Sequence, residues 1–157
     1  MILGQVFDPK SVNISLESTD KDEVFEELVE SLVAVQPGLN RAEALAAVQE
    51  REAKLSTGIG RGVAVPHGIC SGVSGVKGAI GISRGGIEYD SLDKAPVRII
   101  FMLLSGRDEC EYHLQVIKRL AQILEDPSFV DIILSKTTPQ DVYDTLVRFE
   151  DAVTAAV

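Results

Sequence analysis

His67 stands in Thr57-Gly58-Ile59-Gly60-Arg61-Gly62-Val63-Ala64-Val65-Pro66-His67-Gly68, the stretch whose residue types and spacing most invite chemistry. Pro66 biases Val65 toward extended geometry, which predicts a strand running straight to the histidine. Gly68 then permits a sharp turn with no side chain crowding the imidazole. The upstream glycines allow backbone N–H groups to approach an anion, and an imidazole offers a neutral nucleophilic nitrogen near pH 7. The same features also describe a structural histidine at a strand end between tight glycine turns, and on the residues alone both readings stand. Cys70 lies three residues further on, but one intervening turn seldom aligns a Cys–His pair and no third orienting group is evident.

Other machinery is missing from the sequence. No glycine precedes Lys-Ser or Lys-Thr at P-loop spacing, and Gly58-Ile59-Gly60-Arg61-Gly62 lacks the third glycine of a dinucleotide fingerprint. Cys70 and Cys110 are the only cysteines and there are two histidines, so neither a disulfide framework nor a metal site is expected. The net charge is −9, against binding to nucleic acid or an anionic membrane. That charge is uneven: residues 51–100 hold seven bases and four acids, while residues 1–50 hold three and ten. Ten of the thirteen glycines fall between Gly58 and Gly86, so the basic middle of an acidic chain is also its glycine-rich part.

Helices must flank and position this middle. Val24, Phe25, Leu28, Leu32 and Val35 recur at helical spacing after an Asp20 cap with Glu23 at its third position, and Pro37-Gly38 ends the run. Asn40 caps a second helix with Leu45, Val48 and Leu55 on its apolar side. Leu114, Ile117, Leu120, Ala121 and Leu124 mark a third, ending before Pro127. Asp126-Pro127 and Thr138-Pro139 each predict the start of a short helix. Strands are predicted at Gly62–Pro66, Val76–Ser83 and Val97–Leu104, the last apolar enough to be buried on both faces. With 157 residues, 45% hydrophobic, the chain reads as one α/β domain over 1–157, a sheet covered by helices on both faces. No run approaches the roughly 20 apolar residues of a membrane helix, and no signal peptide is evident, so a cytoplasmic location is expected.

Thr57–Gly68 resembles the phosphorylation motif of the IIA domains of the bacterial phosphoenolpyruvate:sugar phosphotransferase system (PTS), fructose/mannitol class. The likeness extends to Arg51-Glu52 ahead of the motif, to Gly86-Ile87-Glu88-Tyr89-Asp90-Ser91-Leu92-Asp93 with Pro96-Val97, and to His113-Leu114. Gly106–Tyr112, with Cys110 and Tyr112, matches no family feature. The resemblance implies a mixed sheet in an α/β/α sandwich. It implies that His67 forms a tele-phosphohistidine, taking its phosphoryl group from the carrier HPr and passing it to a IIB domain or a regulatory target. Arg51 and His113 would meet the phosphoryl oxygens, and Thr57 would orient His67 or the phosphate. A phosphohistidine donor carries its own driving force, so no cofactor is expected. Leu124-Glu125-Asp126-Pro127, and the lack of an attached IIB-like cysteine loop or transmembrane part, resemble the nitrogen-regulatory IIA proteins more. A sugar-transport IIA component is the alternative, and a non-catalytic binding module of the same fold a remote one.

Overall fold

The computed structural model describes residues 2–155. In chain order its elements are α1 (Leu3–Val6), β1 (Val12–Asn13), α2 (Lys21–Val35), α3 (Arg41–Lys54), β2 (Gly58–Gly60), β3 (Val63–Ala64) and β4 (His67–Ile69), then β5 (Val76–Ile87), β6 (Val97–Ser105), α4 (Cys110–Leu124), α5 (Phe129–Leu134) and α6 (Pro139–Ala155). The apolar run of β6 explains the architecture. Successive side chains of a strand point to opposite faces. Ile99, Phe101 and Leu103 enter one core with Val116 and Leu120 of α4, Phe129 of α5 and Leu146 of α6. Ile100, Met102 and Leu104 enter a second core with Phe25, Leu28 and Leu32 of α2 and Val48 of α3. The sheet is therefore sandwiched by helices, and it is mixed. Its order is β1-β5-β6-β3-β2, with β4 also paired to β6; β5–β6 and β2–β3 are antiparallel, and the other pairs parallel.

Several expected elements are corrected. Of the strand expected at Gly62–Pro66 only Val63–Ala64 pairs, as β3, and a further strand, β4, opens just beyond it in the same register along β6, Val63 opposite Ile99 and His67 opposite Leu103. Pro66 has no N–H to give the ladder, although its carbonyl still accepts from Leu103 N at 3.0 Å. His67 therefore begins a ladder rather than ending one, and the chain does not turn at Gly68. What Gly68 accommodates is α3: a Cβ there would lie 2.9 Å from Ala47 Cβ and 3.0 Å from the Ala47 carbonyl carbon. Gly68→Ala is expected to push α3 off β4 and lower stability by about 1–3 kcal/mol, read from urea unfolding midpoints.

The caps Asp20 and Asn40 hold as expected, accepting from Glu23 N at 2.9 Å and Glu43 N at 3.0 Å. Leu55, however, is the C-cap of α3 and 59% exposed, the buried positions being Ala44, Val48 and Glu52. On α4 the buried stripe is Val116, Leu120 and Ile123, with Leu114 60% exposed. Ile117 and Leu124 of the expected stripe are partly buried against the same core, so the inward face is centred one position away from Leu114. Asp126 does not cap a proline-led helix; it accepts from Ser128 N at 2.9 Å and Oγ at 2.7 Å in a turn, and α5 begins at Phe129. Thr138 does cap α6, its Oγ1 accepting from Asp141 N at 3.1 Å, but that helix runs 17 residues rather than being short. β5 extends to Ile87 through an irregularity after Ile82.

Candidate active site

Three elements bring the expected residues together. His67 opens β4 beside the central strand, Arg51 lies in the last turn of α3, and His113 in the first turn of α4. All three line one cleft of about 380 Å³, with Lys54, Ser105 and Cys110 also on its walls. The two imidazole rings lie 5.0 Å apart between centroids, tilted by 47°. Residues separated by 16 and 46 positions in sequence thus share one surface opening.

Each imidazole is fixed through Nδ1. That of His67 lies 2.9 Å from the Val65 carbonyl oxygen. A carbonyl accepts only, so Nδ1 carries the proton and the lone pair remains on Nε2. That of His113 lies 2.7 Å from Ser105 Oγ. Burial holds the His67 pKa below the usual imidazole value, aided by the Arg51 charge and opposed by the Val65 carbonyl and the Glu52 carboxylate. Burial, with His67 beside it, lowers His113 to about 4. Both rings are neutral at pH 7. As pH falls, the unfolded chain takes up a proton on His113 near pH 6.5 and the folded one only near 4. Stability present above 6.5 is therefore lost progressively down to about 4. His113→Ala is expected to show a smaller drop in urea midpoint across that window.

Arg51 donates from Nη1 to the Leu55 carbonyl at 2.9 Å, which satisfies the C-terminal turn of α3. Its remaining N–H groups are the ones available to a ligand in the cleft. Thr57 is placed differently from expectation: its side chain does not reach the imidazole. Oγ1 donates to Glu52 Oε1 at 2.6 Å and lies 2.9 Å from Tyr89 OH, while Thr57 N donates to Glu52 Oε2 at 2.9 Å. Tyr89 OH and Lys21 Nζ also donate to this buried carboxylate, at 3.0 and 3.2 Å. Burial alone would raise the Glu52 pKa, but the bonds from Thr57 and Lys21 outweigh it and the carboxyl stays below its usual range. Thr57 reaches His67 only through backbone: its carbonyl accepts from Val65 N at 3.0 Å, and Val65 holds Nδ1.

Ser105, the Nδ1 partner of His113, was not among the expected site residues; its one sequence signal is a hydroxyl directly after the apolar run of β6. Cys70 is buried, with its Sγ on the Ser71 carbonyl at 3.2 Å and its thiol pKa raised by burial and by Glu43, which is the wrong direction for a nucleophile. Arg61 is exposed as expected, and donates to the Leu124 carbonyl at the end of α4. Among the described residues no helix is long and apolar enough to cross a membrane.

A fold of this kind recurs among known proteins. The chain is 27% identical over 149 residues to the nitrogen regulatory protein of Pseudomonas aeruginosa, covering 95% of this chain and 97% of that one. It is 31% identical over 124 residues to the PTS system fructose-specific EIIABC component of Bacillus subtilis. That match takes in 79% of this chain but a fifth of the larger protein's length. The crystal structure of the nitrogen regulatory protein IIA-Ntr from Neisseria meningitidis superposes with a TM-score of 0.86 at 29% identity, covering 93% of this chain and 99% of that one. The model of the family described as phosphoenolpyruvate-dependent sugar phosphotransferase system, EIIA 2, matches residues 5–148. With an α/β/α sandwich that carries two facing imidazoles and an arginine in one cleft, the chain belongs to that EIIA family and is a phosphotransferase component of the PTS.

Proposed function

We propose that His67 is the phosphoryl acceptor, using Nε2, and that it takes the group from the phosphohistidine of an HPr-type carrier. The observation that carries this reading is the bond from His67 Nδ1 to the Val65 carbonyl, in the cleft it shares with Arg51 and His113. In the transfer the Nε2 lone pair forms a bond to phosphorus, the donor's P–N bond breaks, and its electron pair returns to the donor imidazole. Such a step asks the protein chiefly for position and for charge to meet the three equatorial oxygens. Arg51 offers a planar fork for two of them, and His113 a neutral hydrogen-bond donor. Because burial holds the His67 pKa below the ordinary imidazole value, its phosphorylation rate is expected to decline at a lower pH than the titration of a free imidazole would give, measured with phospho-HPr in buffers of constant ionic strength.

The acceptor's second partner is either a IIB domain or a regulatory target. Likeness along 95% of this chain and 97% of the P. aeruginosa nitrogen regulatory protein favours the regulatory role, in which phosphorylation state is the signal. The 31% identity to a fructose-specific EIIABC component supports the second reading, a sugar-transport IIA. Leu55, Ile69 and Leu114, all 59–60% exposed, belong to or adjoin the cleft wall and give both kinds of partner an apolar landing. The contact must form and part quickly, so it is expected to be small, about 1,200 Å² or less. Incubation of the phosphorylated protein with a fructose-class IIB domain separates the two. Rapid loss of label to IIB supports the transport role; retention of label over the same time supports the regulatory one.

A further inference from the structure

The two imidazoles of the cleft are held through the same nitrogen by unlike partners. His67 faces a carbonyl, and its tautomer is fixed by that alone. His113 faces a hydroxyl, which is able to donate or to accept. Ser105 is 1% exposed, and among the described residues its Oγ has no hydrogen-bond partner except His113 Nδ1. If Nδ1 carried the proton and donated, the serine hydrogen would be left buried with no acceptor. If the serine donates, both groups are satisfied, and the single proton of a neutral imidazole sits on Nε2.

We propose that Ser105 is a positioning residue: its hydroxyl donates to His113 Nδ1 and so keeps the His113 proton on Nε2, turned to the phosphoryl oxygens in the cleft. This rests on the reading of His113 as a partner of the phosphoryl group. The other tautomer would present a lone pair to an anionic oxygen, which repels it. Ser105 closes β6 opposite Ile69 and Val76 of the flanking strands, so the hydroxyl that sets the tautomer is carried by the same sheet as the acceptor. His113 comes from a helix, and the bond ties that helix's first turn to the strand.

The test combines transfer rates from phospho-HPr with ring nitrogen NMR of both histidines. In the wild type at neutral pH, His113 is expected to show the Nε2–H pattern; an Nδ1–H pattern overturns the proposal without any variant. Ser105→Ala is expected to transfer about tenfold more slowly, in the range for loss of an orienting partner, and to shift the His113 nitrogens while those of His67 stay put. Ser105→Thr, which keeps the hydroxyl, should recover most of the rate. In a His113→Ala background Ser105→Ala should cost nothing further; an undiminished loss there would mean a scaffolding role and overturn the proposal. A His113→Ala protein with wild-type rates would instead remove His113 from the phosphoryl site, and the NMR pattern would still report whether Ser105 sets its tautomer.

Discussion

His67→Ala is expected to take up no phosphate at all from phosphoenolpyruvate, enzyme I and HPr. The reason lies in the roles of the two histidines. His67 has Nδ1 committed to a carbonyl and its lone pair on Nε2, whereas His113 is engaged by Ser105. Among the described residues the imidazole of His67 makes no other hydrogen bond, and it is only half-buried, so the variant should fold and unfold like the wild type. Acid-labile phosphate mapped by mass spectrometry gives the answer, and ring NMR of the phosphorylated wild type should place phosphorus on Nε2. Label persisting at the wild-type level in His67→Ala would end the assignment. An intact fold with no label in the wild type itself would point to the non-catalytic module.

The second large effect is expected at His113 and Arg51. Removing a donor aimed at developing charge typically costs about 10²–10³ in rate, and both residues line the cleft wall beside the acceptor. His113→Ala and Arg51→Ala should therefore carry label on His67 but gain and lose it slowly. Arg51→Lys should recover only part of the rate, because a point charge does not replace a planar fork. Arg51 also satisfies the Leu55 carbonyl at an exposed helix end, a bond worth roughly 0.3–1 kcal/mol, so its loss is expected to show in kinetics and hardly in stability. Wild-type rates in both directions for both variants would show that these side chains do not meet the phosphoryl group.

How much of this was legible in the sequence depends on range. The caps of α2 and α3 and the core of β6 follow from local spacing, and both capping bonds form. α1 has four residues and β1 two, too few for any period to be read. Glu150, on α6, is what holds the first of them, accepting from Leu3 N at 2.9 Å across the whole chain. Pro66 biases Val65 toward extended geometry, and the pair lies between β3 and β4 in one register along β6. That the ladder resumes beyond it, and that Gly68 serves helix contact and not a turn, depends on Ala47 of another element. In the cleft, family likeness supplied Arg51 and His113, which no local spacing relates to His67. The two hydroxyls show the limit of such likeness. Thr57 lies in the motif, yet its side chain turns inward to Glu52 and Tyr89; Ser105 lies in none, and bonds an imidazole.

The shared register of β3 and β4 along β6 has a consequence for how a phosphate on His67 would be sensed. The acceptor rides on β4, which is laddered to the central strand β6, with Leu103 N bonded to Pro66 O before it and Cys70 N to Ser105 O at 2.9 Å after it. Loops that order around a phosphate report its arrival by changing shape. A residue laddered to the central strand has no such freedom: amide exchange of Leu103 and Cys70 should be slow, and equally slow before and after phosphorylation. What changes is the local field, by nearly two negative charges in a cleft lined by the exposed Ile69. A partner that distinguishes the two forms would then be reading potential, and raised salt should blur the distinction without altering the fold.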